Sequence, residues 1–423
     1  VVGSQKDEVD LLLANGAVLD MQNAAGDSAA HIAVRTSQIT FLQTFIQHKC
    51  SLHLQNGLGW SVMHEAVALE SLEMLDMLVE AGADLDLQSI PLGETPLHLA
   101  VAKENDDVVA LLIESGADLD KQDAKLQCPL HYVVDHNLPE ALDMFLEAEA
   151  NLNLQDEKGN SPLHLAVLRA DLDMCKALVE HQANLNLQDC EGRSPLAIAL
   201  TNKSGPILTY LIQQGTNTNL QDIHGQTCLH IACAAGYLPL VGMLLTAGSD
   251  INCTDDAGRT PLHYACANGH EKVAASLVEQ GADLNMLDHA SESALYLAAF
   301  KQYHGIVELM VESEALLQCT PEKISALAQA AGLRALYLLS QSADFETRLV
   351  TAQGLSVLAR DVQLKNGFVD EKTLEVLVEW GDDESIPMQE TCGTALLNLA
   401  TGCTDALREA MAEHAVVSLC VDW

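Results

Sequence analysis

The chain has 423 residues, with 60 acidic against 21 basic side chains, a formal net charge of −39, and 48% apolar but only 4% aromatic content. That charge argues against nucleic acid, whose phosphates need a basic stripe, and against an anionic membrane surface. No apolar run approaches the roughly 18 residues of a membrane span, and the composition is that of a folded, soluble chain.

The first residues, VVGSQKDEVDLLLANGAVLD, lack a methionine, and VDLLLANGAVLD parallels VALLIESGADLD at Val109 to Asp120. The chain is therefore expected to begin inside a repeating unit and to be a fragment. From Ser28 onward one tetrapeptide recurs: SAAH at Ser28, SVMH at Ser61, TPLH at Thr95, CPLH at Cys128, SPLH at Ser161, SPLA at Ser194, TCLH at Thr227, TPLH at Thr260 and SALY at Ser293. The step is 33 residues except for one of 34 between Ser61 and Thr95, where SIPLGE carries an extra residue. The turn ANLNLQD even stands twice, at Ala150 to Asp156 and at Ala183 to Asp189.

Each unit has the same physical grammar. Ser or Thr suits an N-cap, and Pro suits the first helical position, where no backbone donor is needed. A short helix follows, then a second one such as LDMCKALVEHQA, with Leu172, Cys175, Leu178 and Val179 on one stripe. Gly82, Gly116, Gly215, Gly248 and Gly281 fall where a helix stops in the left-handed conformation. A turn rich in Asp and Asn leads to the next cap. A unit this short cannot bury its apolar face alone, so neighbours must stack into a continuous core.

These residues resemble the ankyrin repeat, a helix-turn-helix with a projecting hairpin. The resemblance covers residues 1–319, as one partial unit followed by nine, and implies an all-α repeat solenoid. Where the family often has Arg or Lys in the hairpin, Gln stands at 22, 55, 88, 122, 155, 188 and 221, followed by Thr254 and Leu287. Two readings are open: a ladder in which each amide bonds a neighbouring junction, or recent duplication with no role for the amide. The resemblance also implies that His31, His64, His98, His131, His164, His230 and His263 bond the cap and hairpin backbone. It further places Asn153, Asn186, Asn252 and Asn285 in turns of the kind that an asparaginyl hydroxylase modifies.

Beyond residue 319 the period is lost. FETRLVTAQGLSVLAR at Phe345 aligns with IPMQETCGTALLNLAT at Ile386, pairing Leu355 with Leu396, Leu358 with Leu399 and Ala359 with Ala400. LEVLVEW at Leu374 aligns with VSLCVDW at Val417, pairing Trp380 with Trp423. A period in the low forties resembles the armadillo repeat, so residues 320–423 are expected to be armadillo-like helical repeats. Asn398 matches that family's groove asparagine, which bonds the backbone of an extended peptide.

No catalytic constellation emerges. The seven histidines come one per unit, too far apart to share an ion at ligand distances near 2 Å. His64-Glu65 begins HEAVA rather than HExxH. Asp123, Asp156, Asp189, Asp222 and Asp255 repeat one turn position. The twelve cysteines lack a CxxC pair. They read as free thiols of a reducing, intracellular and cytoplasmic protein rather than as a disulfide framework. No enzyme activity, cofactor, metal or small-molecule substrate is expected.

Function is expected where the units differ. The concave slots that the family uses hold eight basic residues: Arg35, Lys103, Lys125, Lys158, Arg169, Arg193, Arg259 and Lys301. They hold seven acidic ones: Asp27, Glu94, Asp135, Glu157, Glu191, Asp256 and Glu292. A nearly balanced groove in an acidic body suits a peptide or protein surface of alternating charge. Exposed slots on any soluble protein would also mix charges. Large apolar slots are rarer: Trp60 with Leu58, then Leu69, Leu168 and Phe300. Trp and Arg dominate interface hot spots, so Trp60, Leu69, Leu168 and Arg169 are expected to form one contact patch; the alternative for Trp60 is hairpin packing against residues 90–93. The function expected is a non-catalytic scaffold that captures a protein or extended peptide. The alternatives are a targeting arm of a larger enzyme and a structural spacer.

Overall fold

The computed structural model describes residues 2–317, 321–361, 364, 367–370, 372–381, 385–401 and 405–413. Among the described residues the regular element is the α-helix, and β-pairing is confined to a single bridge between Leu287 and Ser293. None of the described helices is long and apolar enough to cross a membrane. The chain divides into two compact units, residues 1–216 and 217–423.

In the first unit, the repeat opening at Ser161 shows why each unit folds as it does. Ser161 is extended, and its hydroxyl accepts from the backbone N–H of His164. Pro162 fills the first position of the helix Pro162–Leu168. That helix stops where Ala170 turns left-handed, at φ 58°. Asp171 then caps the second helix, Leu172–Glu180, by accepting from the N–H groups of Asp173 and Met174. Leu163, Ala166 and Val167 of the first helix and Met174, Cys175 and Leu178 of the second are buried. Of the expected stripe, Leu172 and Val179 are only half-buried, and Met174 takes a buried place instead. First helices pack on first helices of neighbouring repeats, and second helices on second helices. The apolar stripes thereby meet layer by layer, as a stack of units too small to fold alone requires.

The second unit opens with repeats of the same kind, capped by Thr227, Thr260 and Ser293. Longer helices follow. Pro321–Ser340 is broken at Gly332, which sits at φ 75° and ψ 174°. Next come Phe345–Leu358, Gly367–Asp370, Thr373–Gly381, Ile386–Ala400 and Asp405–Glu413. The two aligned segments do form a packed helix pair, Phe345–Leu358 against Ile386–Ala400. Leu355, Leu358, Leu396 and Leu399 are all buried there. The pairing of Ala359 with Ala400 fails, because Ala359 is buried while Ala400, at its helix end, is exposed. Trp380 is buried, and its expected counterpart Trp423 lies outside the described residues.

Candidate protein-binding surface

The repeated polar residues are taken up in holding repeats together. Each of the seven histidines accepts the cap residue's backbone N–H at Nδ1, at 3.1 to 3.2 Å. Nε2 lies 3.0 to 3.2 Å from a carbonyl of the next hairpin. A carbonyl only accepts, so Nε2 carries the proton and the ring is neutral. Burial pulls the affinity of six of these rings for a second proton below the ordinary value, that of His98 to a pKa of about 4.

Glutamine forms a second tier. Within the first unit, the amides of Gln22, Gln55, Gln88, Gln122 and Gln155 each donate twice: to a carbonyl of their own hairpin, and to the backbone carbonyl of the next Gln at 2.7 to 3.0 Å. In the second unit Gln221 reaches the Thr254 carbonyl at 2.9 Å. The ladder runs along main-chain acceptors, amide to backbone. A third tier was not foreseen: turn carboxylate or amide oxygens of Asp20, Asp86, Asp120, Asn153, Asn219, Asn252 and Asn285 accept backbone N–H groups one repeat on. The recurrence of Asp and Asn is visible in sequence; an N–H acceptor role spanning a repeat is not. Asp123, Asp156, Asp189, Asp222 and Asp255 each accept N–H groups of their own turn, as expected.

One pair has the shape of a nucleophile and its base: the Cys128 sulfur lies 3.0 Å from His131 Nδ1. Both are fully buried, and burial pushes the thiol up to about 11 while lowering the imidazole. An activated thiolate needs the opposite shifts, so Cys128 serves as a cap where other repeats use Ser or Thr. Among the described residues no cluster of His, Cys, Asp and Glu could hold a metal ion.

What remains is the set of slots that differ between repeats. Most of the basic ones are already paired. Arg35 forks onto Asp27 and also bonds Glu65, both at 2.6 Å. Lys103 meets Glu70 at 3.4 Å, and Arg169 meets Asp135 at 2.8 Å. Arg193 holds Asp189 and Glu191 at 2.8 and 3.0 Å. Lys125 and Lys158 have no carboxylate within ion-pair distance among the described residues. They line one open cavity of about 670 Å³ together with Asp135, Glu157, Leu168 and Arg193. Leu168 is 43% exposed, and Leu165, which no sequence signal marked as a surface residue, adds a second apolar contact.

Trp60 lies elsewhere in the same unit. Half-buried, it stacks on His64 with ring centroids 6.1 Å apart and lines a cavity of about 320 Å³ with Leu58, Ala25 and Arg35. Leu69 is exposed at the end of the helix Val62–Ala68. Trp60 and Leu168 thus line different cavities, so the four expected residues do not share one. In the second unit Arg259 is tied to Asp288 at 3.1 Å. Phe300 stacks on Tyr296 at 5.9 Å and remains 36% exposed, with Lys301 exposed beside it. Asn398 Nδ2 stands 3.5 Å from the Ser356 carbonyl of the paired helix.

A family model described as ankyrin repeats (3 copies) matches residues 2–89, 46–123, 83–156, 130–222, 202–288 and 229–321. Among solved structures, the chain is similar to the crystal structure of the ankyrin repeat domain of Bcl-3, described as a unique member of the IkappaB protein family. The identity is 28%, over 52% of this chain and 99% of that one, with a TM-score of 0.47. No curated protein matches the chain.

Proposed function

The chain belongs to the ankyrin repeat family, a family of protein-interaction modules, and from that premise we propose that it is a non-catalytic scaffold capturing a partner protein or extended peptide in the concave groove of its ankyrin repeats. The observation that carries this reading is the division of labour among side chains. Repeated His, Gln, Asp and Asn are spent on junctions, whereas the slots that vary leave an open cavity with Leu168 exposed and two lysines that are unpaired among the described residues. The cavity is lined mainly by charged and amide side chains, with Leu165 and Leu168 as its large apolar contacts, which suits a charged segment of a protein partner. The acidic body draws basic partners over about a Debye length and disfavours nucleic acid. Residues 320–423 form an armadillo-like extension in this reading, supported by the packed pair Phe345–Leu358 and Ile386–Ala400; Asn398, whose amide faces the Ser356 carbonyl of that pair, is the residue assigned to an extended peptide.

The test is a pull-down from cell extract with the wild-type chain beside a Trp60→Ala, Arg169→Glu double variant of equal helicity by circular dichroism. Selective loss of a binding protein from the variant is expected. Identical sets of bound proteins would move the site off the ankyrin groove.

A further inference from the structure

The cavity at Lys125 and Lys158 holds a charge pattern that narrows the partner's chemistry. Its carboxylates are almost all occupied. Asp135 is paired with Arg169, and Arg193 holds both Asp189 and Glu191. Asp156 accepts the backbone N–H groups of Lys158 and Asn160 at 2.9 and 2.8 Å. Among the described residues, the one lining carboxylate left without a partner is that of the exposed Glu157. Against it stand two ammonium groups, also unpaired among the described residues.

Those two lysines occupy the same place in consecutive hairpins, and their backbones are pinned. The Lys125 carbonyl accepts from Glu157 N–H and the Lys158 carbonyl from Cys190 N–H, each at 2.9 Å. A cation entering here finds one carboxylate free of any bond, that of Glu157, the others being held by Arg169, by Arg193 or by turn N–H groups. An anion finds donors that nothing else uses. Beside them, Leu165 and Leu168 offer an apolar contact, Leu168 being largely bare.

We infer that this cavity, as part of the protein-binding groove proposed above, takes a partner segment in which a carboxylate side chain stands next to a large apolar one. The carboxylate is bound between Lys125 and Lys158, and the apolar side chain rests on Leu165 and Leu168. The acidic body does not contradict this. Summed charge selects which proteins approach, favouring basic ones, while the two lysines select the residue that seats.

The test is selection from a random peptide display library on the wild-type chain, on a Lys125→Glu, Lys158→Glu double variant, and on the Trp60→Ala, Arg169→Glu variant. All substitutions lie at exposed or half-exposed positions, and equal melting by circular dichroism confirms folding. Wild type is expected to enrich Asp or Glu adjacent to Leu, Ile, Phe or Met. The lysine-to-glutamate variant should lose those peptides and enrich Lys or Arg at the same place. A selected peptide should bind each single lysine variant about tenfold more weakly, and Leu168→Asp should remove the apolar preference. Peptides unchanged by the charge reversal but lost with Trp60→Ala, Arg169→Glu would overturn the cavity's role and leave the groove reading standing. No enrichment on any of the proteins would overturn both.

Discussion

Neighbouring repeats between Ser28 and Leu317 and the helices between Pro321 and Glu413 are joined by different means. Inside each of the two units, repeats are joined by side-chain to backbone bonds that recur at fixed offsets: His to a carbonyl 29 or 30 residues on, and Gln to a carbonyl 33 or 34 on. In the later helices the joints are mainly apolar, as where Leu355 and Leu358 meet Leu396 and Leu399, with one long bond from Asn398 to the Ser356 carbonyl across the same pair. Directional bonds fix register one residue at a time, whereas apolar contact tolerates slippage. The repeats therefore specify their stacking twice over, by burial and by hydrogen bonding.

The largest consequence is a difference in acid sensitivity. A histidine whose folded pKa is lowered below its unfolded value favours the folded state above pH 6.5. That stability is lost as the pH falls from about 6.5 toward the folded value, because the unfolded chain then binds protons that the folded one does not. For His98, with a folded value of about 4, the loss between pH 7 and pH 5 is about 2 kcal/mol. His64, His131, His164, His230 and His263 shift in the same direction for the same reason, burial. Hydrogen exchange read by mass spectrometry at pH 5 and pH 7 should show the repeats losing protection on acidification, with helices Phe345–Leu358 and Ile386–Ala400 holding theirs. Equal loss in both regions would remove the histidines as the cause.

A smaller effect isolates the glutamines. Gln155→Ala deletes two donated hydrogen bonds and should cost about 1 to 2 kcal/mol in denaturant melts. Gln155→Glu keeps the shape but turns an acceptor toward two carbonyl oxygens. It should therefore cost about 1 kcal/mol more than Ala. If Glu proved as good as Gln, the amide bonds would contribute nothing and the repetition would be an accident of duplication.

How much of this was legible follows from the same contrast. The cap, Pro, His and Gly recurrences announced the repeats and their helices, because each residue type does one local job at a fixed spacing, whereas the Gln recurrence left a ladder and mere duplication both open. Asp20, Asp86, Asp120 and the corresponding asparagines were legible only as turn formers, since the N–H groups they accept lie 31 or 32 residues away. At the candidate surface, the slot residues Lys125, Lys158, Leu168 and Arg193 were identified in sequence and share a cavity. Their charge state was not: that Arg169 and Arg193 are already spent on Asp135, Asp189 and Glu191 depends on side-chain geometry that spacing alone does not fix. In the later helices, Ala400 misled because an apolar residue at a helix end carries no mark of which way it faces.

A third predicted difference concerns two glycines that look alike in sequence. Gly116 and Gly332 both have positive φ, 83° and 75°, and a Cβ added at either would meet nothing within 4 Å, so any cost of substitution is backbone strain alone. Gly116 ends its helix at a place where other repeats carry Lys49, Glu149 and Gln182, each left-handed at φ 56° to 68°. A side chain is tolerated there, and Gly116→Asn should cost only a few tenths of a kcal/mol, since Asn enters this region readily. Gly332 pairs its φ with a ψ of 174°, a region open essentially to glycine alone, so Gly332→Asn should cost about 1 to 3 kcal/mol. Parallel urea melts of the two variants measure the gap. Equal costs would mean that the break in Pro321–Ser340 relaxes to an ordinary left-handed stop, making that helix end the same way the repeats end theirs.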